Sequence, residues 1–153
     1  MITSAGLKVL EFNARFGDPE TQVILMRMKS DLVPLLLTTP KSNLEDVEVE
    51  WHDCASICVV MASNGYPDNY EKGLQISGLE ALRGLDNVQV FHAGTSLKDG
   101  KVVTNGGRVL GVTTVGKDLR EAQKNVYEAI QKVSFNGAHY RRDIGAKAIF
   151  LKS

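Results

Sequence analysis

The chain has 153 residues, 43% hydrophobic and 24% charged, proportions ordinary for a globular domain. Eighteen Lys and Arg balance eighteen Asp and Glu, so no net field draws the whole protein to nucleic acid or to an anionic membrane. No apolar run approaches the roughly 20 residues of a membrane-spanning helix, and residues 1–6 lack the charged start and apolar stretch of a signal peptide. Cys54 and Cys58 share one apolar run. Spaced like this on a strand they are poor disulfide partners, and two thiols are too few for a zinc site. They are expected to be reduced packing residues, which fits the cytoplasm.

In chain order, residues 7–13 alternate as a strand does, with Val9, Glu11 and Asn13 on one side and Leu10 and Phe12 on the other. A turn is expected at Arg15-Phe16-Gly17. Asp18-Pro19-Glu20 then predicts a helix start, with Asp18 as N-cap, Pro19 at the first helical position and Glu20 where the macrodipole favours an anion. Residues 23–28 fill that helix, and Lys29-Ser30 ends it. Ser30 is expected to cap a second short helix through Leu32, Leu35 and Leu36, with Pro34 in its first turn. Residues 39–53 turn polar and acidic, which sets a boundary between two units, 1–45 and 46–153.

Beyond that boundary the chain reads as strands. Residues 55–62 are continuously apolar, as in a strand covered on both faces. Asn64-Gly65-Tyr66-Pro67 is a turn. Residues 88–97 and 102–104 flank Asp99-Gly100, a strong hairpin signal. Asn105-Gly106-Gly107 turns into a further strand over 108–115. Asp118 and Glu121 form a capping-box-like pair at the start of a helix carrying Leu119, Ala122, Val126, Ile130 and Val133 at helical spacing. Gly145 breaks the final stretch before a short strand, Ala148 to Leu151. The expected fold is α+β: a strand with helices, then a small, mostly antiparallel β-rich domain with one main amphipathic helix.

Glu11 and Asn13, two apart on a strand, present a carboxylate and an amide oxygen on one face, hard donors of the kind Mg2+ takes alongside water and phosphate. Arg15 extends that face with a planar guanidinium suited to a carboxylate or phosphate. Polar residues alternating on a half-exposed strand are also simply its wet face, and the spacing by itself decides nothing. Arg108 after its glycine turn, and Arg141 and Arg142 in Tyr140-Arg141-Arg142-Asp143, are further candidate anion ligands; each reads equally as a surface cation. His92, His52 and His139 have no accompanying nucleophile or second ligand and read as structural.

The unbroken string from Val9 to Gln22, VLEFNARFGDPETQ, resembles the metal-binding segment of the glycinamide ribonucleotide synthetases, a family of ATP-grasp ligases. Further stretches resemble the same family in the same order: MRMKSDL from Met26, VVMAS from Val59, GYP from Gly65, HAGT from His92, VTNGGRV from Val103 and YRRDIG from Tyr140. The resemblance implies that residues 1–45 end an ATP-grasp domain and that 46–153 form the family's C-terminal domain. It implies Glu11 and Asn13 as ligands of the Mg2+ or Mn2+ ions that bridge ATP phosphates. It further implies a ligase of purine biosynthesis that joins glycine to 5-phosphoribosylamine through glycyl phosphate, with ATP as co-substrate. Arg15 is then the candidate for holding glycine's carboxylate or the acyl phosphate, and Arg108 with Arg141 or Arg142 the candidates for the 5-phosphate.

The sequence contains no glycine-rich phosphate loop and no G-x-x-x-x-G-K-[ST] motif. The chain by itself is therefore expected to be inactive. Its first 40 or so residues are expected to expose apolar surface, which favours self-association. Two other readings compete: a non-catalytic interaction module, and an ATP-grasp ligase with a different substrate.

Overall fold

Apolar and β-branched residues over 55–62 and 108–116 build the two longest strands of the computed structural model, which describes residues 1–38 and 47–150. Strand β3 (Ala55–Ala62) pairs antiparallel with β7 (Arg108–Gly116), and β4 (Val88–His92) pairs antiparallel with the other edge of β7. The central strand is the most buried: Val109, Leu110, Val112, Thr113 and Thr114 have no exposed surface. Continuous apolar sequence is what a strand covered on both faces requires.

Helix α3 (Leu119–Ile130) covers one face. Its Ala122, Val126, Ala129 and Ile130 join Val59, Met61, Leu110 and Val112 in the core. Asp118 caps it as expected, its Oδ1 accepting from the Glu121 amide at 2.9 Å. Glu121 reaches back to the Lys117 amide at 2.7 Å, one residue before the cap. Thr114 on β7 donates to the Ala122 carbonyl at 2.8 Å, so its side chain is buried without an unmet hydrogen bond.

Helix α1 (Glu20–Arg27) covers the opposite face. Gly111 lets it approach, since a Cβ there would meet Cys58 Sγ at 3.3 Å and Gln22 at 3.8 Å. Burial beside this helix pushes the Cys58 thiol up, and the Asp18 charge adds to the shift. Cys54 and Cys58 are both free thiols. Helix α2 (Leu32–Thr38) follows, and its first turn is held by Asp31, whose Oδ1 accepts from the Val33 amide at 2.9 Å. The expected cap, Ser30, instead accepts from the Glu50 amide at 2.8 Å.

Four further expectations are corrected. The strand over 7–13 reduces to Gly6–Leu7 (β2), paired with Ile2–Thr3 (β1), and residues 8–19 form no strand. A strand needs a neighbour's backbone to complete its ladder, and none of the described residues supplies one. At α1, Pro19 is the N-cap rather than the first helical residue. The Asp18 carboxylate makes no capping bond there and accepts instead from the Gln22 side chain at 2.8 Å.

The single strand expected over 88–97 is broken. After β4 the chain passes Ala93-Gly94 into β5 (Thr95–Lys98), which forms a separate hairpin with β6 (Lys101–Thr104). Gly94 packs so closely on the next turn that a Cβ would stand 2.5 Å from Gly106 Cα. Asp99 and Gly100 both take positive φ, 50° and 74°, as the hairpin signal required. Lastly, Ala146–Phe150 is a helix, α4, where a strand was expected; Leu151 lies outside the described residues. A four-residue apolar run fits either structure, and here the Ile149 amide closes a helical turn onto the Gly145 carbonyl at 3.1 Å.

The coarse fold expectation holds: helices with antiparallel sheets, ordered β3-β7-β4 and β5-β6 beside the short β1-β2 pair. The boundary at residues 45 and 46 lies outside the described residues. On either side of it, Met28 bridges to Trp51 and Lys29 pairs with Glu50 at 2.7 Å. Among the described residues no helix is long and apolar enough to cross a membrane.

Candidate functional site

Glu11 and Asn13 lie in an exposed stretch without regular structure, yet their side chains meet, Asn13 Nδ2 donating to Glu11 Oε1 at 3.0 Å. The contact joins the amide nitrogen to the carboxylate, and the residues also carry a carboxylate oxygen and an amide carbonyl oxygen within a short stretch of chain. That donor set suits a hard divalent cation, which takes few protein ligands and fills its octahedron with water or phosphate oxygens. Among the described residues no group of three or more His, Cys, Asp or Glu side chains is arranged around a common point. Any ion here would draw its remaining ligands from elsewhere.

Arg15 is not joined to this pair. Its Nη1 and the Glu20 Oε2 both lie over Gly17, where a Cβ would be 3.5 Å from the first and 2.6 Å from the second. Gly17 is the one buried residue in the first nineteen, and its carbonyl accepts both the Thr21 amide at 2.8 Å and the Thr21 hydroxyl at 2.6 Å. The turn expected at Arg15-Phe16-Gly17 is therefore pinned to the first turn of α1, and it carries Arg15 with it.

From the other side of the sequence, Arg108 at the start of β7 reaches the same turn. Its Nη1 donates to the Asp18 main-chain carbonyl at 3.0 Å, and its Nη2 stands 3.7 Å from Asp18 Oδ2. A cavity of about 300 Å3 opens beside this contact. Pro19, Cys58, Val60, Tyr66, Arg108 and Arg141 are among the residues that line it. Arg108 and Arg141, singled out separately in the sequence, thus line one cavity.

Arg141 is held by a forked pair to Asp143, Nε to Oδ1 at 3.0 Å and Nη2 to Oδ2 at 2.7 Å. The guanidinium keeps the Asp143 carboxyl below the usual carboxylate range. Helix α3 fixes this loop. The Tyr127 hydroxyl donates to the Arg141 carbonyl at 2.9 Å and accepts from the Ile144 amide at 3.1 Å, while Gln123 donates to the Ile144 carbonyl at 2.7 Å. Burial pushes the Tyr127 hydroxyl up, keeping it a proton donor. Arg142 does not line the cavity; its guanidinium lies 5.8 Å from the centre of the Tyr140 ring.

Of the histidines, His92 bonds to Thr95 Oγ1 at 3.0 Å across the β4–β5 break, as a structural residue would. His139 pairs its backbone with Ala62 in both directions, at 2.9 and 3.0 Å, and lines the cavity. Sequence reasoning missed Asp18, Gln22 and Tyr66 as partners in this region. Asp18 looked like a helix cap and Tyr66 like part of a turn. Only the folded chain brings Tyr66 over Gly107 and Asp18 under Arg108.

Residues 56–147 match the family described as phosphoribosylglycinamide synthetase, C domain. The chain is 49% identical over 146 residues to a phosphoribosylamine–glycine ligase of Caldanaerobacter subterraneus, with 95% of this chain and 34% of that protein covered. It is 54% identical over 149 residues to a protein of the same name from Halalkalibacterium halodurans, covering 97% of this chain and 34% of that one. The crystal structure of a phosphoribosylamine–glycine ligase from Thermotoga maritima superposes with a TM-score of 0.76 at 40% identity, covering 94% of this chain and 34% of that one. The chain spans about a third of the length of these relatives.

Proposed function

The chain belongs to the phosphoribosylglycinamide synthetase C-domain family, and from that premise we propose that it is the C-terminal portion of an ATP-dependent ligase joining glycine to 5-phosphoribosylamine in purine biosynthesis. The observation that carries this is the pairing of Glu11 with Asn13 at 3.0 Å beside a turn pinned to α1 and β7. In this reading glycine's carboxylate oxygen attacks the γ-phosphorus of ATP and ADP leaves. The phosphoribosylamine nitrogen then attacks the acyl carbon, and phosphate departs as the amide forms.

Glu11 and Asn13 would hold Mg2+ or Mn2+, which when bound supplies neutralisation of charge on the phosphate oxygens. Arg15, pinned through Gly17 to α1, orients the glycine carboxylate or its acyl phosphate. Arg108 and Arg141 line the mouth that receives the 5-phosphate, and the stacked Arg142 stands outside it. Residues 1–45 belong, in this proposal, to the ATP-grasp part and 46–153 to the family's C-terminal domain. A cytoplasmic location and a lack of nucleic-acid or membrane partners follow from the same assignment.

Positioning governs phosphoryl transfer, so the 153 residues alone should not turn over ATP. Glu11→Ala in a full-length ligase carrying this sequence should abolish glycine-dependent ATP turnover while the circular dichroism spectrum stays unchanged. Full turnover by that variant, or ATP- and glycine-dependent phosphate release by the isolated chain, would overturn the proposal.

A further inference from the structure

We propose that Arg108 is a positioning residue for the Glu11-to-Arg15 segment, acting through Asp18 at the start of α1; the proposal rests on the ligase assignment. Three observations carry it. The first is the contact itself. Arg108 Nη1 holds a main-chain carbonyl, that of Asp18, at 3.0 Å, across 90 residues of sequence. A bond to backbone fixes where the chain runs, whatever the side chain beside it does.

The second is a break in the β3–β7 register. Met61 pairs with Leu110, but Ala62 pairs with Arg108, so Val109 is an extra residue on β7. With strict alternation Arg108 would share the face of Leu110, Val112 and Thr114, where Thr114 bonds to α3. The bulge reverses that, and the guanidinium emerges on the α1 side to meet Asp18. Bulges re-aim side chains in this way next to functional sites.

The third is that the ion pair is poorly built for stability. Its side chains are 44% and 47% exposed and its charged atoms 3.7 Å apart, a geometry worth little once solvent screens it. Yet Asp18 is committed on both sides. Gln22 Nε2 donates to Oδ1 at 2.8 Å, while Gln22 Oε1 is buried with no partner among the described residues. The arrangement spends a buried acceptor to hold Asp18 in place.

The consequence is geometric. From Gly17 to Gln22 the chain is tied by Thr21, Gln22 and Arg108; from residue 8 to 16 it has no regular structure. Arg108 therefore sets the pivot from which Arg15, three residues earlier, and the Glu11–Asn13 pair are presented. Its guanidinium has five donors, so facing the cavity and holding Asp18 are compatible.

The test is steady-state kinetics on a full-length ligase carrying this sequence, comparing Arg108→Ala with Arg141→Ala. Arg141 lines the same cavity but is paired with Asp143 and not with Asp18. Arg108→Ala should lower kcat by about 10- to 100-fold, the scale of a misplacement near 1 Å, beyond any rise in KM for 5-phosphoribosylamine. Arg141→Ala, which leaves the Asp18 contact in place, should act on KM and spare kcat. Equal defects in both variants, expressed as a raised KM for 5-phosphoribosylamine, would overturn the proposal by making Arg108 a phosphate contact only. Kinetics like those of the unmutated enzyme in Arg108→Ala would overturn it as well. Lack of glycine-dependent turnover in the unmutated enzyme would instead refute the ligase assignment.

Discussion

The central sheet and the segment before α1 are both rich in branched and aromatic apolar residues, and they treat them in opposite ways. In β7, Val109, Leu110 and Val112 have no exposed surface. Between β2 and α1, Val9 is 73%, Leu10 71% and Phe12 90% exposed. The difference lies in neighbours rather than in composition. β7 has a paired strand on each edge and a helix against each face, so its backbone and side chains are both satisfied. The earlier segment has two-residue strands on one side and no ladder beyond them. The chemistry proposed for this chain would sit on a segment with little support of its own.

Substitutions in the two regions should act very differently. The largest effect should come from Leu110→Ala, which leaves a cavity between β7 and α3 and should cost about 2–5 kcal/mol in urea unfolding. A loss well under that range would mean the core is not the closely packed region described. Next, Asp118→Ala removes the bond to the Glu121 amide and should cost about 1 kcal/mol, read from the same denaturation curves. The smallest effect belongs to the exposed segment: Phe12→Ser should change stability by less than about 0.5 kcal/mol. The same substitution should weaken self-association of the isolated chain in sedimentation velocity, because Phe12 is the most exposed large apolar side chain among the described residues. A wild-type chain that sediments as a monomer over a wide concentration range would remove that expectation.

Parts of the fold were legible because their signals are local. The apolar run of β3 matches the strand bounds, and the periodicity from Leu119 marks α3 with its cap at Asp118. Asp99-Gly100 marks the β5–β6 turn because its backbone demands positive φ. Other parts were not legible. The break at Ala93-Gly94 arises from close contact with Gly106, a residue twelve positions on. α4 is a helix because Gly145 and Asp143 offer their carbonyls to it, which four apolar letters do not encode.

The candidate site divides in the same way. Glu11 and Asn13 were legible as a pair from their spacing, and their side chains do meet, though on an irregular stretch instead of a strand. Arg108 and Arg141 were legible as cations but not as neighbours. The cavity they share depends on where the loop after α3 is tied, through Tyr127 and Gln123.

By itself the sequence determined which residues are chemically equipped, which runs are buried in strands, and where α3 begins. Those properties follow from side-chain chemistry and short-range periodicity, which travel with the letters. Tertiary structure alone decided which face Arg108 would occupy. One extra residue in β7 turned it from the α3 side to Asp18, and only the β3–β7 register records that shift. Pairing register is a relation between segments 46 positions apart, Ala62 with Arg108, and neither segment carries it alone.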